Sequence, residues 1–436
     1  MCYYKSRGDF TMKIKNIHAY EILASGGYPT IECQVELVDG TVGITSVPYG
    51  VSAGSYEATV LVDGDSSRWN GRGMLNAIAN IKTKITPEII GQDGYDQRKI
   101  DKIMINLDGT PNKANLGGNA ILAVSLAVAR ASAKSKNLEL YQYIIDTFDT
   151  GADLTQLPQP MTVVIEGGKH ADHTTDLQEF CLTATRHATV AENVRMIMET
   201  YHQLETVLHE NNFSTNVGHE GAFAPSGIKS NEAPLTFMLE AIKRAGYTAG
   251  KDLGFSIDAA ANEFYEHGIY NLNLEKKALR AEQLIQYYQT WLERYPIITL
   301  EDLLAEDDWD NWPKLKMVAD KYQTPLIGDD LTVTNILRLQ KAIDLQAISA
   351  ILIKVNQIGT LSETIDCGML AKKNNLMTVT SHRGGGETND TAMIDVAVAV
   401  GSTYIKVGPT RGERVSKYNR LMAIEQALRP AQSLCN

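Results

Sequence analysis

The chain lacks the features that would send it to a membrane, to an oxidising compartment or to nucleic acid. No apolar run reaches the length of a bilayer span. The N-terminus, Met1 to Phe10, has no apolar stretch of the kind that secretory leaders carry. Cysteine is scarce: Cys2, Cys33, Cys181, Cys367 and Cys435 are scattered, odd in number and without C-x-x-C spacing. That pattern excludes a disulfide scaffold and a cysteine zinc site, and it fits a reducing compartment. Surplus positive charge is missing too. The formal net charge of −11 argues against nucleic acid and anionic membrane as main partners. An anionic ligand would have to find local positive charge in its site, from Lys, Arg or a metal.

What is present is an ordinary globular composition, 44% apolar and 21% charged, over 436 residues. That length exceeds one small core and suggests two domains, or a barrel with a cap. Met12-Lys13-Ile14 reads as a more natural start than Met1, so residues 1–11 are expected to be a tail or the product of an upstream start. Ile31 to Leu37 alternates apolar and polar, Asp39-Gly40 follows, and Val42 to Val47 resumes. This predicts strand, tight turn and strand with one wet face. Pro48 to Ser55 is a loop of glycines and small residues, either a lid or a long connector. Leu116 to Lys134, proline-free and rich in Ala and Leu, predicts a helix. Gly151 to Pro160, with two prolines, marks a domain boundary. Residues 12–150 then form an α+β cap, and residues 151–436 a second domain.

In that second domain, apolar runs end in charge. Gly254 to Ile257 leads to Asp258, Ile297 to Leu300 to Glu301-Asp302, and Pro325 to Gly328 to Asp329-Asp330. Ile351 to Ile353 leads to Lys354, Met377 to Thr380 to Ser381-His382-Arg383, and Tyr404-Ile405 to Lys406. Helical patterns lie between. Leu235, Met238, Leu239 and Ile242 share a face, with Gly246 as a stop; Leu284, Tyr288, Trp291 and Leu292 share another, stopped by Pro296. Strand–helix alternation at intervals of about 25 to 45 residues predicts a β/α barrel, whose strand C-termini hold the chemistry.

Asp258, Glu301 and Asp329 fall at three successive strand ends, and closing the barrel brings them around one point. Any one of them alone is more often a helix N-cap. Together they would repel unless a divalent cation stood between them, and oxygen-only ligands favour Mg²⁺ or Mn²⁺ over zinc. Lys354 ends a strand that reads as buried on both faces. A lysine there is costly unless it is paired or has a task. It is read as a general base that removes a proton α to a carboxylate while the metal stabilises the ene-diolate. The metal's charge would also help to keep the amine neutral. A lysine snorkelling to the barrel rim is the alternative.

At these residues the chain resembles enolase, the glycolytic hydro-lyase. The likeness runs from Ile14 to Leu428 and includes Gly64-Asp65-Ser66-Ser67-Arg68, Asn119-Ala120-Ile121-Leu122 and Gly167-Gly168-Lys169-His170-Ala171-Asp172. It continues through Gln178-Glu179-Phe180, Gly218-His219-Glu220-Gly221-Ala222-Phe223-Ala224-Pro225, Gly328-Asp329-Asp330-Leu331, Leu352-Ile353-Lys354-Val355-Asn356-Gln357 and Ile405-Lys406. The resemblance implies a modified (β/α)8 barrel, opening ββαα, with an N-terminal α+β capping domain. It implies dehydration of 2-phosphoglycerate to phosphoenolpyruvate in a cytoplasmic homodimer or homo-octamer. A place at the cell surface, or secretion without a signal peptide, also belongs to the family's range. A lysine base working with Mg²⁺ is the established pattern of this superfamily.

Carried over by motif, Asp258, Glu301 and Asp329 match the first Mg²⁺ ligands, and Ser52 matches the lid serine that takes a second Mg²⁺ with the substrate phosphate. Lys354 matches the base and Glu220 the acid that protonates the departing hydroxide, with Glu179 and Gln178 beside it, and His170 matches a lid-side substrate contact. His382, Arg383, the Gly384 N–H and Lys406 match groups around the phosphate and carboxylate ends. The chain also departs from the family. Tyr49-Gly50-Val51-Ser52-Ala53-Gly54 stands for Ser-Gly-Ala-Ser-Thr-Gly. Gly384 to Gly386 stands for Ser-Gly, one residue longer and lacking a hydroxyl; such a triple glycine is expected to be loose. Glu166 replaces an Asn, His219 an Asp and Ala222 a Gly, and Ala24-Ser25-Gly26-Gly27-Tyr28 replaces Asp-Ser-Arg-Gly-Asn. Two other readings follow: a paralog acting on another α-hydroxy acid, and a binding protein on the same fold. Against the latter, the chain ends Ser433-Leu434-Cys435-Asn436, without the C-terminal lysines used for such binding.

Overall fold

The structure is a computed structural model that describes residues 11–50, 54–185 and 188–429. Strands β1 (Ile14–Leu23), β2 (Pro29–Leu37) and β3 (Val42–Ser46) form an antiparallel sheet in that order. Alternation sets its faces: Ile31, Cys33, Val35 and Leu37 are buried, whereas Glu32, Gln34 and Glu36 are half-buried. The buried face packs on the helix Gly118–Ser135. Gly43 permits the close approach, since a Cβ there would stand 2.2 Å from the Ala131 nitrogen. The helix starts two residues later than the Ala/Leu pattern predicts. Gly117 stands at φ +97°, outside helical space, and ends the preceding loop.

The next strands are β4 (Tyr49–Gly50), β5 (Gln159–Glu166), β6 (Glu179–Ala184) and β7 (Leu253–Asp258). A small sheet of β8 (Tyr265–Glu266), β9 (Ile269–Leu272) and β10 (Lys277–Leu279) follows. Then come β11 (Ile297–Glu301), β12 (Leu326–Gly328), β13 (Ala350–Ile353), β14 (Met377–Ser381), β15 (Gly385–Gly386) and β16 (Tyr404–Val407). The barrel closes in the order β11-β12-β13-β14-β16-β5-β6-β7. Neighbours are parallel except around β6, which runs antiparallel to both β5 and β7. All six apolar runs that lead into charge are barrel strands. Of the first helical face, Leu235, Met238 and Ile242 are buried but Leu239 is 38% exposed. It lies about 100° around the helix from Met238, past the edge of the buried stripe.

The cap shares one continuous core with the barrel. The buried Asp101 carboxylate accepts from Ser362 N at 2.9 Å and Ser362 Oγ at 2.6 Å, and Leu361 N donates to Ser125 Oγ at 3.0 Å. The expectation of a loose triple glycine is corrected. Gly385 and Gly386 pair with Gly50 and Tyr49 as a two-stranded antiparallel ladder outside the barrel. Ser25 N also donates to Glu387 O, at 2.9 Å. Among the described residues no helix is long and apolar enough to cross a membrane.

Candidate active site

The barrel delivers its polar residues to one mouth for a geometric reason. Parallel strands end there, so Asp258 and Glu301 come as the last residues of β7 and β11, paired across the ladder. Asp329 and Lys354 follow β12 and β13 directly. The reversed β6 begins at the same mouth, so its first residue, Glu179, pairs with Asp258 on one side and with Glu166 on the other. His382 and Arg383 follow β14, and Lys406 lies inside β16 opposite Ser381. His170, Gln178, Glu179, Glu220, Asp258, Asp329, Lys354, His382, Arg383, Gly384 and Lys406 all line one cleft. Glu301 joins them through Lys406. Ser52 lies outside the described residues.

Lys406 is buried, and its Nζ stands 2.7 Å from Glu179 Oε2, 2.9 Å from Asp258 Oδ2 and 2.7 Å from Glu301 Oε1. Burial disfavours the ammonium, but these carboxylates overcome it and hold Lys406 protonated well above its ordinary range. Lys354 makes a short ion pair with Asp329, whose other oxygen accepts from Gln357 Nε2 at 2.8 Å. Burial again opposes the charge, and Asp329 outweighs it, so Lys354 is an ammonium as it stands. The lysines supply the positive charge that the crowded carboxylates demand.

A metal would meet a matching donor set. Among the described residues, Asp302, Asp329 and Asp330 hold carboxylate oxygens within 4.8 Å of one another. Asp258 and Glu301 stand outside that group, cross-linked by Lys406. Burial and the neighbouring Asp329 push Asp330 up to about 8. Burial and Asp258 push Glu301 well above the usual carboxylate range, and burial with Asp330 does the same to Asp302. Glu179, Asp258, Glu301, Asp302, Asp329 and Asp330 thus outnumber Lys354 and Lys406, and oxygen is the donor throughout. This fits a hard divalent cation such as Mg²⁺.

Imidazoles and carboxylates meet at another wall of the cleft. His170 Nδ1 stands 3.1 Å from Glu179 Oε1 and 3.5 Å from Glu220 Oε1, and His382 Nε2 stands 3.1 Å from Glu220 Oε2. All are buried. Burial lowers His170, but Glu179 and Glu220 raise it to about 9. Burial raises Glu220, but His382 and His170 hold it well below the usual range. His170, Glu179 and Glu220 also bring ligand atoms within 4.8 Å of one another, yet each is ion-paired. At the third side Arg383 Nη1 stands 3.0 Å from Glu57 Oε1, both buried. A Cβ on Gly384 would lie 2.5 Å from the His170 ring and 2.9 Å from Glu220 Oε1.

Sequence reasoning missed Glu57, Asp302 and Asp330 as site residues. Asp302 and Asp330 stood in view as the second members of acidic pairs, and Glu57 lies two residues past the loop Pro48 to Ser55. A larger cavity, about 700 Å³, opens at the other end of the barrel beside Gln159, Tyr404 and Glu425. Strands start there, and no convergent set of acids, bases and lysines lines it among the described residues.

A capped barrel thus gathers lysines, imidazoles and carboxylates at one cleft, with oxygen donors that could hold a metal ion. The family model "Enolase, N-terminal domain" matches residues 14–144, and "Enolase, C-terminal TIM barrel domain" matches residues 154–434. The chain belongs to the enolase family.

Proposed function

We propose that the protein catalyses the Mg²⁺-dependent, reversible dehydration of 2-phosphoglycerate to phosphoenolpyruvate, the glycolytic step, as a cytoplasmic homo-oligomer. One observation carries this: Lys354, Glu220 and the carboxylates of Glu179, Asp258 and Asp329 line the same cleft. Lys354, once its amine is free, takes the proton α to the substrate carboxylate. Glu220 gives a proton to the departing hydroxyl, which leaves as water. His170 and His382 orient Glu220, Lys406 and Arg383 attract the anionic ends of the substrate, and Gln178 lines the cleft beside them. Asp258, Glu301 and Asp329 would hold one Mg²⁺, and Ser52 would join a second with the substrate phosphate. When bound, Mg²⁺ supplies charge that stabilises the ene-diolate and competes with Lys354 for Asp329.

The test is phosphoenolpyruvate formation with and without Mg²⁺, alongside exchange of the C2 proton in D₂O. K354A should lower both by about 10²- to 10⁴-fold. No phosphoenolpyruvate at any pH with Mg²⁺ present rejects the reading. A second reading, another α-hydroxy acid without a phosphate, is favoured by Gly384, which offers no hydroxyl, and by Glu57, which already occupies Arg383. It is accepted if such an acid exceeds 2-phosphoglycerate in kcat/KM.

A further inference from the structure

Gln357 lies in the short helix Val355–Ile358 that follows Lys354; it is buried and does not line the cleft. Its side-chain amide is bonded at both ends. Nε2 donates to Asp329 Oδ1 at 2.8 Å and to Glu57 Oε1 at 3.4 Å, and Oε1 accepts from Thr334 Oγ1 at 2.8 Å. The partners dictate this orientation. An ionised carboxylate only accepts, so the NH₂ end faces Asp329 and Glu57, and the carbonyl end is left for the Thr334 hydroxyl. That hydroxyl also accepts from Lys354 N, at 2.9 Å. Val333 and Thr334 stand at φ +43° and +54°, a region that β-branched residues rarely enter. The turn after β12 holds this unfavourable shape, and the Thr334 hydroxyl thereby bonds both the Lys354 N–H and the Gln357 amide.

We propose that Gln357 is a positioning residue for Asp329: its amide holds Oδ1, so that Oδ2 is presented to Lys354 and to a divalent cation, and the Thr334 hydroxyl holds the amide in turn. The proposal rests on the reading of Asp329 as a Mg²⁺ ligand. Asp329 Oδ2 pairs with Lys354, and Oδ1 is the oxygen that Gln357 engages. A hydrogen bond at one oxygen restrains rotation of the whole carboxylate, so it aims the other. The residue type suits the place. A third cation here would compete with Lys354 for Asp329, and a further carboxylate would repel both Asp329 and Glu57. The neutral amide brings two N–H donors and no charge. Thr334 matters because the buried Oε1 of Gln357 would otherwise lose its donor, which is costly and would favour a shifted amide. Groups that orient a metal ligand by hydrogen bonding are typically worth about 10- to 100-fold in metal affinity.

The experiment compares the full-length parent with Q357M, which keeps length and bulk without N–H groups, and with T334V, which keeps the shape without the hydroxyl. T334S, the double variant T334V/Q357M and D329N complete the set. Mg²⁺ binding to chelator-treated protein is read by titration calorimetry without substrate. Q357M should weaken Mg²⁺ by about 10- to 100-fold. T334V should weaken it too, T334S should bind as the parent does, and D329N should bind least. The double variant should be no weaker than Q357M alone, because Thr334 acts through Gln357. In Q357M, added Mg²⁺ should recover part of the lost C2 proton exchange, which a general loosening of the fold would not allow. The proposal is overturned if Q357M or D329N binds Mg²⁺ like the parent. It is equally overturned if the double variant shows the product of the two single effects. Should Q357M fail to fold, T334V against T334S decides by the same titration. A parent that binds Mg²⁺ but forms no phosphoenolpyruvate, with Q357M still weakened, rejects the proposed function and upholds the positioning; a parent that binds no Mg²⁺ rejects both.

Discussion

A Cβ at position 384 would stand 2.5 Å from the His170 ring, so the missing hydroxyl at Gly384 is not a simple deletion. His170 occupies that space, held by Glu179 at 3.1 Å. G384S, which writes the expected family residue back, should therefore displace His170 instead of gaining a phosphate contact. An error of about 1 Å at a reacting group can cost about 10²-fold, and kcat/KM for 2-phosphoglycerate should fall by a comparable factor. A G384S protein that binds tighter and turns over faster would show that the ring moves freely. Charge at the same wall sets a pH dependence of stability. His170 is raised to about 9 from 6.5, and Glu166 to about 8 from 4.5. Between each pair of values the folded chain binds more protons than the unfolded one, so stability falls as pH rises. The contribution of His170 is complete below about 6.5 and gone above about 9. Glu220 and Glu179 are lowered and act at acid pH with the opposite sign. The urea midpoint of the metal-free protein should drop from pH 6.5 to 9, less steeply in E166Q.

The β4–β15 ladder shows what glycine does at the scale of an element. A Cβ on Gly386 would stand 2.4 Å from the Tyr49 ring and 2.5 Å from Tyr49 O, and one on Gly26 would stand 2.5 Å from Gly385 O. Three backbone segments meet with no room for side chains, and they bind the start of the loop Pro48 to Ser55 to the segment after β14 that carries Arg383. G386A should part this ladder, lower stability by about 1–3 kcal/mol as overpacking does, and raise KM more than it lowers kcat. Thermal denaturation and steady-state kinetics test both. Nothing in the sequence could announce this contact, because two Gly-containing dipeptides far apart in the chain carry no periodicity. The barrel strands that the sequence did reveal share one trait: an apolar run ends in charge. β6 escapes that rule because it runs backwards, with its ionisable residue, Glu179, at its start. The same logic holds in the site. Which residues converge was legible from strand ends and motifs; which of them pair was not. That Lys406 would bridge Glu179, Asp258 and Glu301, and that Glu57 would meet Arg383, depends on side-chain reach across several strands.

Over the whole molecule, the net charge of −11 and the carboxylate cluster pose one question: what compensates negative charge at the barrel mouth? The cap and barrel bury a single core, so strain at the mouth is felt by the entire fold and not by a separable lobe. Burial and Asp258 push Glu301 well above the usual range, so its ionised form is held at a cost to folding. A ligand that binds only the folded state repays such a cost; at about 100 times its Kd it adds about 2.7 kcal/mol. Mg²⁺ should accordingly raise the melting temperature of the parent as a single cooperative transition. E301Q removes one of the crowded carboxyl groups and one proposed ligand together. Without metal it should melt no earlier than the parent, because relief of repulsion offsets the lost contact with Lys406; with Mg²⁺ it should show little of the parent's rise. Calorimetry at several Mg²⁺ concentrations separates the two effects. If E301Q is much less stable without metal, Lys406 and not a cation is what Glu301 is there to hold. If E301Q answers Mg²⁺ as fully as the parent, the ion sits instead among Asp302, Asp329 and Asp330, whose oxygens already lie within reach of one another.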